Sequence, residues 1–414
     1  MSERINVGEL QKAIARLGDV FVTKDVSEQD ELKRAHPAES SHSQWHAFVG
    51  RAISTRRAEL GVESIGKSSR GERWSKRVSA ARPSAPIDAG PPPPAPDPHD
   101  FGPQYSGDPP FTARHRLHQS WWRATVLGVP CGPGPRETSP SRYGNMLDAA
   151  SGAAGMNFLA PEIFAVAKAR LAEGGGTVER FRLLHNMLSS QPMCFNLFGP
   201  LVGHPERAVR LLRPLLEDDV ARVRRVAIEW APAPATSYLG DRTAFDAMIE
   251  YERADGSLVL VGIETKLTDS FSQKPYDGEV YRRWMRSPRS PYRTEAWGEV
   301  ASPRHNQLWR NHLLAIAARD LPGSRYAAVK SMAVLHPGDE EGARVVASYR
   351  NLLRPDDDTF AARTLDEVVA TFTSVAHADE VPWLDAFRRR YLALDLSDDA
   401  WRATSRSVSG SQST

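Results

Sequence analysis

Two acidic residues and one lysine lie in neighbouring strand-like segments, and these side chains are suited to holding a metal ion beside a phosphate ester. Asp246 lies in AFDAMIEYER, whereas Glu264 and Lys266 lie in SLVLVGIETKLT. In both segments, apolar residues occupy every second position and so form one apolar face, the pattern of a strand with one packed side. The Ala-Asp-Gly loop at residues 254–256 favours a hairpin with glycine in the left-handed position. The hairpin register predicts that Asp246 lies opposite Glu264.

Two carboxylates in that position repel each other, because directly opposed Cβ atoms are only about 5 Å apart. A bound Mg²⁺ would offset the repulsion, since this cation takes one or two carboxylates together with water and phosphate oxygens. Lys266 lies on the face of Glu264, where its ammonium would orient or help deprotonate an attacking water, or stabilise charge in the transition state. Exposed strands also carry Glu and Lys two residues apart as a solvated face, so the pattern alone leaves a non-catalytic interpretation open.

Helical and strand patterns alternate around this patch in the order helix, three strands, helix, strand. The three strand patterns end in IETK, and the following helix is PRHNQLWRNHLLAIAARD. Gln307, Arg310 and Asn311 are three and four residues apart, which places them on one face of that helix. A solvated face is the alternative interpretation. In an earlier apolar helix, Gln191 and Asn196 are expected to be structural residues with buried partners.

These residues resemble the PD-(D/E)xK, or restriction-endonuclease-like, phosphodiesterase superfamily. Asp246 matches its first acid and IETK its (D/E)xK tetrad, and the order of elements fits its common core. Longer stretches, from HQSWWR and NFLAPEIF through SSQPMCFNLFGPL to NQLWRNHLL, resemble the PGN-type restriction-endonuclease-like proteins of bacteria. Phe245 stands where the superfamily name has a proline, which many members lack.

The resemblance implies an α/β fold, with a mixed central sheet flanked by helices, and a hydrolase that cuts phosphodiester bonds with Mg²⁺ or Mn²⁺. Asp246, Glu264 and the carbonyl of Thr265 would hold the metal, and Lys266 would assist. A further metal ligand from a preceding helix is expected at Glu162, with Glu179 as the second candidate. The alternative for Glu162 is an exposed residue that complements a helix dipole. Gln307 and Arg310 would face the substrate.

An arginine-rich segment follows the IETK strand at residues 281–304. Its arginines alternate with the aromatic residues Tyr281, Trp284, Tyr292 and Trp297. This interleaving suits a nucleic-acid groove, in which arginine contacts phosphate and rings stack on bases. The residues predicted to bind phosphate are Arg282, Arg283 and Arg286.

Composition excludes several classes of protein. Among 414 residues, 53 Lys and Arg against 51 Asp and Glu give a net charge of +2, so attraction to nucleic acid must be local. Two cysteines, Cys131 and Cys194, exclude a disulfide scaffold and suit a reducing compartment. No apolar run approaches the roughly 18 residues of a membrane span, and no secretory signal pattern precedes the first helix. We expect a cytoplasmic protein without membrane association.

Four regions are predicted along the chain. Residues 1–66 carry two amphipathic helical patterns, typical of a small helical module that would bind a protein partner. Residues 67–110 are basic and then proline-rich, with 11 prolines among the 28 residues from Pro83 to Pro110, which favours an extended linker. Residues 111–399 form the nuclease-like domain, and residues 400–414 are expected to be a disordered tail. Homo-oligomerisation stays open.

The hypothesis is therefore a metal-dependent endonuclease whose substrate is nucleic acid, with DNA expected over RNA. The alternative is a non-catalytic module that binds nucleic acid or protein and keeps the nuclease fold as a scaffold, since a fold alone does not establish an activity. The intact set of Asp246, Glu264 and Lys266 favours the enzyme, because a decayed site would be free to lose one of the three.

Overall fold

The computed structural model describes residues 7–15, 20–35, 45–55, 60, 62–68, 71–76, 101–174, 178–274 and 276–410. It divides the chain into two units, Met1–Pro94 and Ala95–Thr414, and each is described by itself. None of the helices formed by these residues is long and apolar enough to cross a bilayer.

The first unit combines short helices with a small sheet. Its helices are α1 (Val7–Ala15), α2 (Thr23–Ser27), α3 (Asp30–Ala35) and α4 (Trp45–Thr55). Its strands are β1 (Val20–Val22), β2 (Val62–Ser68) and β3 (Gly71–Lys76), which pair antiparallel in the order β1-β3-β2. Leu10 and Ile14 of α1 pack with Val49 and Ile53 of α4 because helical spacing places each pair on one face.

This sheet differs from the purely helical module expected for residues 1–66. β2 and β3 also extend into the span expected to be a basic linker. Paired strands satisfy their backbone hydrogen-bond groups whatever charge the side chains carry, and Val62 is buried in the core of the unit. Residues 77–100, which hold most of the proline-rich segment, lie outside the described residues, so the linker stays a prediction.

The second unit is built on a five-stranded mixed sheet in the order β10-β9-β8-β7-β6. Its strands are β6 (Arg222–Trp230), β7 (Phe245–Glu252), β8 (Leu258–Lys266), β9 (Tyr326–Leu335) and β10 (Phe360–Thr364). β7 is antiparallel to both of its neighbours, β6 and β8, whereas β9 is parallel to both β8 and β10. The ends of β6, β8 and β9 therefore lie at the same edge of the sheet as the beginning of β7. A separate two-stranded sheet consists of β4 (Cys131–Pro133) and β5 (Arg142–Leu147).

Helices surround this sheet. The α-helices are α5 (Pro110–Trp121), α6 (Ala149–Ala153), α7 (Pro161–Glu173), α8 (Arg180–His185), α9 (Ser190–Phe198), α10 (Pro205–Leu216), α11 (Glu279–Met285), α12 (Trp297–Val300), α13 (Asn306–Asp320), α14 (Glu340–Arg350), α15 (Leu365–Val375), α16 (Val381–Tyr391) and α17 (Asp398–Gly410). A π-helical turn continues α5 at Trp122–Leu127, and 3₁₀ turns lie at Gly199–Leu201, Ala235–Ser237, Thr294–Ala296 and Leu394–Ser397.

Two apolar cores cover the two faces of the sheet. On one face, Ala247, Ile249 and Tyr251 of β7 pack against α9, α10, α15 and α16. On the other face, Met248 and Leu260 pack against α11, α13 and α14. The architecture confirms the predicted α/β fold, with helices on both sides of a mixed sheet.

The C-terminal segment is more ordered than expected, because α17 continues through Gly410 where a disordered tail from residue 400 was predicted. Ala400 and Trp401 of this helix pack with Phe101 and Leu117. Phe101 lies before residue 111, the expected start of the domain, so this apolar contact extends the second unit at both ends. Residues 411–414 lie outside the described residues.

Candidate active site at one edge of the sheet

The β7–β8 hairpin has the register predicted from the sequence. The ladder runs from Glu252 paired with Leu258 to Ala247 paired with Ile263. Gly256 has a φ of 83°, the left-handed conformation that this loop requires. Because the turn and the register agree, Asp246 and Glu264 reach the same edge of the sheet.

Asp246 lies one position beyond the last β7–β8 ladder pair. At this position a hydrogen bond to the side chain of Asp246 takes the place of a backbone hydrogen bond between the two strands. Its Oδ2 accepts hydrogen bonds from the backbone N of Thr265 at 2.7 Å and from Thr265 Oγ1 at 3.0 Å. A strand N–H points within the plane of its sheet. The carboxylate of Asp246 therefore lies between β7 and β8 rather than on the pleat face of Glu264, as the simple alternation predicted.

Phe245 explains this departure from regular alternation. Its ring packs in the same core as Met248, although a regular strand would place these two residues on opposite faces. Gly262 makes room for it, since a Cβ there would lie only 2.3 Å from Cε1 of Phe245. The ring also stacks on Trp230 at 5.6 Å. Cross-strand packing thus turns the start of β7 and directs Asp246 into the plane of the sheet.

Glu264 is buried and held by three donors. Its Oε1 pairs with Nζ of Lys266 at 2.9 Å and accepts a hydrogen bond from Nε2 of Gln307 at 2.5 Å. Its Oε2 accepts a hydrogen bond from Nδ2 of Asn311 at 2.5 Å. Gln307 and Asn311 are four residues apart on α13, so one helical face carries both amides. The carboxylate therefore has a defined orientation.

Gln307 connects three parts of the site. Its Oε1 accepts hydrogen bonds from Nζ of Lys266 at 3.1 Å and from the backbone N of Ser272 at 2.6 Å. Its Nε2 donates to Glu264. The amide thus ties the lysine, the acid and the segment after β8 to α13, the polar helix that the sequence placed beside the site.

Burial and charge shift the pKa values of the central groups. Burial, followed by the charges of Glu264 and Glu229, raises the pKa of Asp246 well above its usual range, although Lys266 and the hydrogen bond from Thr265 oppose the rise. For Lys266, burial alone would lower the pKa, but the charges of Glu264 and Asp246 outweigh it and raise the pKa. Lys266 is consequently an ammonium at neutral pH, and negative charge on Asp246 is unfavourable.

The two carboxylates keep capacity for a cation. Glu264 accepts at three of the roughly four sites that a carboxylate offers, and one site stays open on Oε2. Oδ2 of Asp246 takes both contacts from Thr265, and Oδ1 accepts no hydrogen bond from the described residues. Hard oxygen atoms of this kind suit Mg²⁺ or Mn²⁺. Among the side chains that the structure describes, no three His, Cys, Asp or Glu converge as a metal centre.

Glu162 is not brought into this group. It is exposed in the first turn of α7, and no contact joins it to Asp246 or Glu264. Its position matches the alternative interpretation, in which an acid complements the positive end of a helix. Glu179 is the cap of α8, where its carboxylate accepts from the backbone N of Phe181 and Arg182.

Arg310 contacts the loop before β7 rather than the acids. Its Nε donates to Oγ1 of Thr243 at 3.2 Å, and its guanidinium lies over the ring of Tyr276 at 4.1 Å. Arg310 is partly exposed on the same side of α13 as Gln307, so substrate binding stays a prediction for it.

The arginine-rich segment contains the short helix α11, and most of its rings are core residues. Tyr281, Trp284 and Tyr292 are buried, so the expectation that these rings stack on bases is wrong. The apolar core of α11 and α13 takes them instead. The three arginines predicted to bind phosphate are exposed or half-buried. Arg282 lies over the ring of Trp297 and Arg283 over the ring of Trp284, whereas Arg286 forms an ion pair with Glu279.

Sequence reasoning missed Glu229 and assigned Gln191 a structural role only. Glu229 is buried near the end of β6, and its carboxylate accepts from Nε2 of Gln191 at 2.7 Å. A lone acid in VARVRRVAIEW gives no pattern that would single it out. Asn196 fits the structural interpretation, because its amide bonds to Leu159 N, Asn157 O and the Tyr391 hydroxyl.

A mixed sheet with helices on both faces, carrying an acid at the start of one strand and Glu-Thr-Lys at the end of the next, defines a restriction-endonuclease-like protein. Residues 106–393 match the profile of the PD-(D/E)XK nuclease superfamily. This match covers more than half of the chain, which therefore belongs to that superfamily, as the sequence motifs predicted. Comparison with curated proteins and with solved structures gives no match. The PGN-type branch stays a prediction.

Proposed function

We propose that this protein is a divalent-cation-dependent nuclease that hydrolyses phosphodiester bonds in DNA. The observation that carries the proposal is the grouping of Asp246, Glu264 and Lys266 at one edge of the sheet, with Glu264 oriented by two amides of α13. Membership of the PD-(D/E)XK nuclease superfamily supports the reaction class.

Asp246 and Glu264 would hold Mg²⁺ or Mn²⁺ through Oδ1 and Oε2, with the carbonyl of Thr265 as a further ligand. The raised pKa of Asp246 supports this assignment, because negative charge that is unfavourable alone becomes favourable around a cation. A divalent cation bound there would supply Lewis-acid stabilisation of the phosphate and a lower pKa for water. Glu162 is a candidate for this role only if substrate binding moves α7.

Lys266 would stabilise negative charge on the phosphate in the transition state. Its raised pKa favours the ammonium over a neutral amine, so it donates hydrogen bonds and does not accept the proton of the attacking water. Gln307 would act as a positioning residue, since its amide binds both Lys266 and Glu264. Losing that amide would leave the acid and the lysine free to pair in other geometries.

Substrate binding is proposed for Arg310 and for the arginines of α11 and its C-terminal end. Arginine suits phosphate because its planar guanidinium presents several donors. Arg282, Arg283 and Arg286 would bind the sugar-phosphate backbone and carry no base specificity. We further expect the protein to act in the cytoplasm, where Cys131 and Cys194, both free thiols, stay reduced.

The test is a cleavage assay with supercoiled plasmid, linear duplex and single-stranded DNA, and with RNA as a comparison. Each substrate is incubated with Mg²⁺, Mn²⁺ or a chelator. We expect cation-dependent DNA cleavage by the wild type and none by Glu264→Gln. Glu250→Gln is a matched control, since Glu250 is a buried acid of β7 that pairs with Arg325 and Tyr326. Binding of DNA without cleavage of any substrate, whatever the cation, would favour the non-catalytic alternative.

A further inference from the structure

The order of elements in the first unit places a helix immediately before a β-hairpin. α1, β1, α2 and α3 come first, and α4 (Trp45–Thr55) is followed by β2 (Val62–Ser68) and β3 (Gly71–Lys76). β3 lies between β1 and β2 in the sheet. This is the topology of a winged helix-turn-helix, a motif whose last helix enters a groove of DNA. Because a fold alone does not establish a function, the surface of α4 and of the hairpin decides it.

Helix α4 is held to the rest of the unit by one buried face. Trp45 and Ile53 are buried in the core of the unit. Nε1 of Trp45 donates a hydrogen bond to the carbonyl of Ser27 at 2.8 Å, which joins the start of α4 to the end of α2. The two helices approach closely at Gly50, where a Cβ would lie 3.1 Å from Cγ2 of Thr23. These contacts leave the opposite face of α4 turned away from the core.

The opposite face of α4 carries small residues. Ala47 and Ser54 are exposed, and because they lie seven positions apart, about two helical turns, they share one side of the helix. Arg51 occupies the position between them. Small side chains let a helix backbone come close to a partner, and a helix about 10–12 Å across fits the major groove of B-DNA, which is about 12 Å wide. This face therefore has the size and chemistry to enter that groove.

Positive charge begins in α4 and continues through the hairpin. Residues 1–50 contain 6 Lys and Arg against 8 Asp and Glu, whereas residues 51–82 contain 9 against 3. The whole chain carries a net charge of only +2, so this is a local concentration. A basic stretch that covers an exposed helix and the hairpin after it is the electrostatic pattern of a nucleic-acid-binding surface.

The turn of the hairpin gathers three of these basic residues. The ladder closes with Ser68 opposite Gly71, so only residues 69–70 join the two strands. The basic residues at this end are Lys67 in β2, Arg70 between the strands and Arg73 in β3. At the other end of β2, Val62 is buried in the core of the unit. Because a strand rises about 3.3 Å per residue, the turn lies about 20 Å along the hairpin from that buried end.

We infer that the first unit is a separate DNA-binding module, in which α4 enters the major groove of a duplex and the hairpin turn binds the sugar-phosphate backbone. The inference is independent of the proposed function, because these elements lie outside the residues that match the nuclease superfamily. Duplex DNA is favoured over RNA, since the major groove of A-form RNA is too deep and narrow for side chains to read. It is favoured over a protein partner, since protein interfaces concentrate aromatic residues and deplete lysine, whereas this surface is small or basic.

The experiment measures binding of the full chain to a fluorescein-labelled DNA duplex about three helical turns long, by fluorescence anisotropy in the presence of chelator. The helix variant combines Ala47→Glu with Ser54→Glu. The hairpin variant replaces three basic residues with alanine, namely Lys67, Arg70 and Arg73. A matched control variant removes three cations from α1 and α3, namely Lys12, Lys33 and Arg34, also by replacement with alanine.

We expect the hairpin variant to bind the duplex about tenfold more weakly and to reduce the slope of log affinity against log salt by about 2–3, because each lost phosphate contact contributes about 0.9. The helix variant should lose at least about tenfold, because its two carboxylates would face the negative groove. The control variant should stay within about twofold of the wild type. A duplex whose cytosines carry glucosylated hydroxymethyl groups, which fill the major groove, should weaken the wild type more than the helix variant.

Wild-type affinity of the helix and hairpin variants for the duplex would overturn the inference and point to a protein as the partner of α4. A loss in the control variant as large as in the hairpin variant would also overturn it, because binding would then follow net charge and not this surface. Equal binding of single-stranded DNA or duplex RNA would contradict the role of the major groove. Circular dichroism checks the fold, and if one variant does not fold, the other tests the inference on a different element. None of these results bears on the nuclease proposal, since the assay contains chelator and every changed residue lies outside residues 106–393.

Discussion

Replacing Asp246 with asparagine should stabilise the protein when no cation is present. The substitution keeps the shape of the side chain and an oxygen that accepts from Thr265, so it removes little except the negative charge. That charge is unfavourable, because burial, Glu264 and Glu229 raise the pKa of Asp246. Most substitutions at buried sites destabilise a protein, so a gain of stability here would be specific to the charge.

The magnitude follows from the neighbouring charges. Two carboxylates about 5 Å apart repel by about 3 kcal/mol at an effective dielectric constant of about 20. Lys266 offsets part of this repulsion. We therefore expect Asp246→Asn to raise the free energy of unfolding by about 1–3 kcal/mol in chelator at neutral pH. In a unit of this size, the gain corresponds to about 2 °C in Tm for each kcal/mol.

The effect depends on pH with a defined sign. A carboxyl whose pKa is higher in the folded than in the unfolded state binds more protons when folded, so folding is penalised as pH rises above the unfolded pKa of about 4. The penalty grows until the pH passes the raised pKa of the folded state. The advantage of Asp246→Asn should therefore be small near pH 4 and increase toward neutral pH. Glu250→Gln should instead lower the free energy of unfolding by about 1 kcal/mol, because Glu250 is paired with Arg325 and Tyr326.

The assay is thermal and urea unfolding of both variants and the wild type, with chelator and then with increasing Mg²⁺. Ligand linkage should stabilise the wild type by about 2.7 kcal/mol at a hundredfold excess of Mg²⁺ over its Kd. Asp246→Asn should lose this response. If Asp246→Asn were less stable than the wild type in chelator across the pH range, and as responsive to Mg²⁺, the electrostatic description of the site would be wrong.

Three further predictions concern the lysine, the arginines and the division of the chain. Lys266→Ala should keep much of the stabilisation by Mg²⁺ but lose most of the cleavage rate, measured at saturating substrate, because its proposed role is in the transition state. Removing residues 1–94 should leave cleavage intact and weaken substrate or partner binding. A cut at residue 105 would also remove the buried Phe101. If the chain without residues 1–94 failed to fold, the prediction of a linker between two independent units would be wrong. Replacing Arg282, Arg283 and Arg286 together with alanine should weaken binding to all DNA sequences alike and reduce the slope of log affinity against log salt. An unchanged slope would exclude them from substrate binding.

The sequence predicted the hairpin and its register because both depend on local patterns. Apolar alternation in β7 and β8 and a glycine in the loop are sufficient to pair Ala247 with Ile263. The polar face of α13 was also predictable, since Gln307 and Asn311 are four residues apart. Their contacts with the two oxygens of Glu264 depend on the position at which α13 packs on the sheet, and no local sequence pattern predicts that position.

Features that depend on packing between distant segments were not predictable. The turn of Phe245 toward Met248 needs the space above Gly262, which lies on the next strand. The left-handed backbone conformation of Glu229 needs Arg170 and Gln191, from two helices that precede β6 by tens of residues. A strand pattern alone places Glu229 as one acid among several arginines, so its proximity to Asp246 appears only when three strands are aligned.

Sheet topology explains why the site is assembled at this edge. β6 ends, β7 begins and β8 ends at the same place, because neighbouring strands in this part of the sheet are antiparallel. Glu229, Asp246 and Glu264 are thereby brought to neighbouring positions, although they are 17 and 18 positions apart in the sequence. A fully paired ladder would cover these groups with backbone hydrogen bonds. The ladder instead ends at Ala247, and the carboxylate of Asp246 takes the N–H of Thr265. The end of the β7–β8 ladder therefore leaves room for the carboxylate of Asp246, which is repelled by Glu264 and Glu229. A cation bound there would relieve this repulsion.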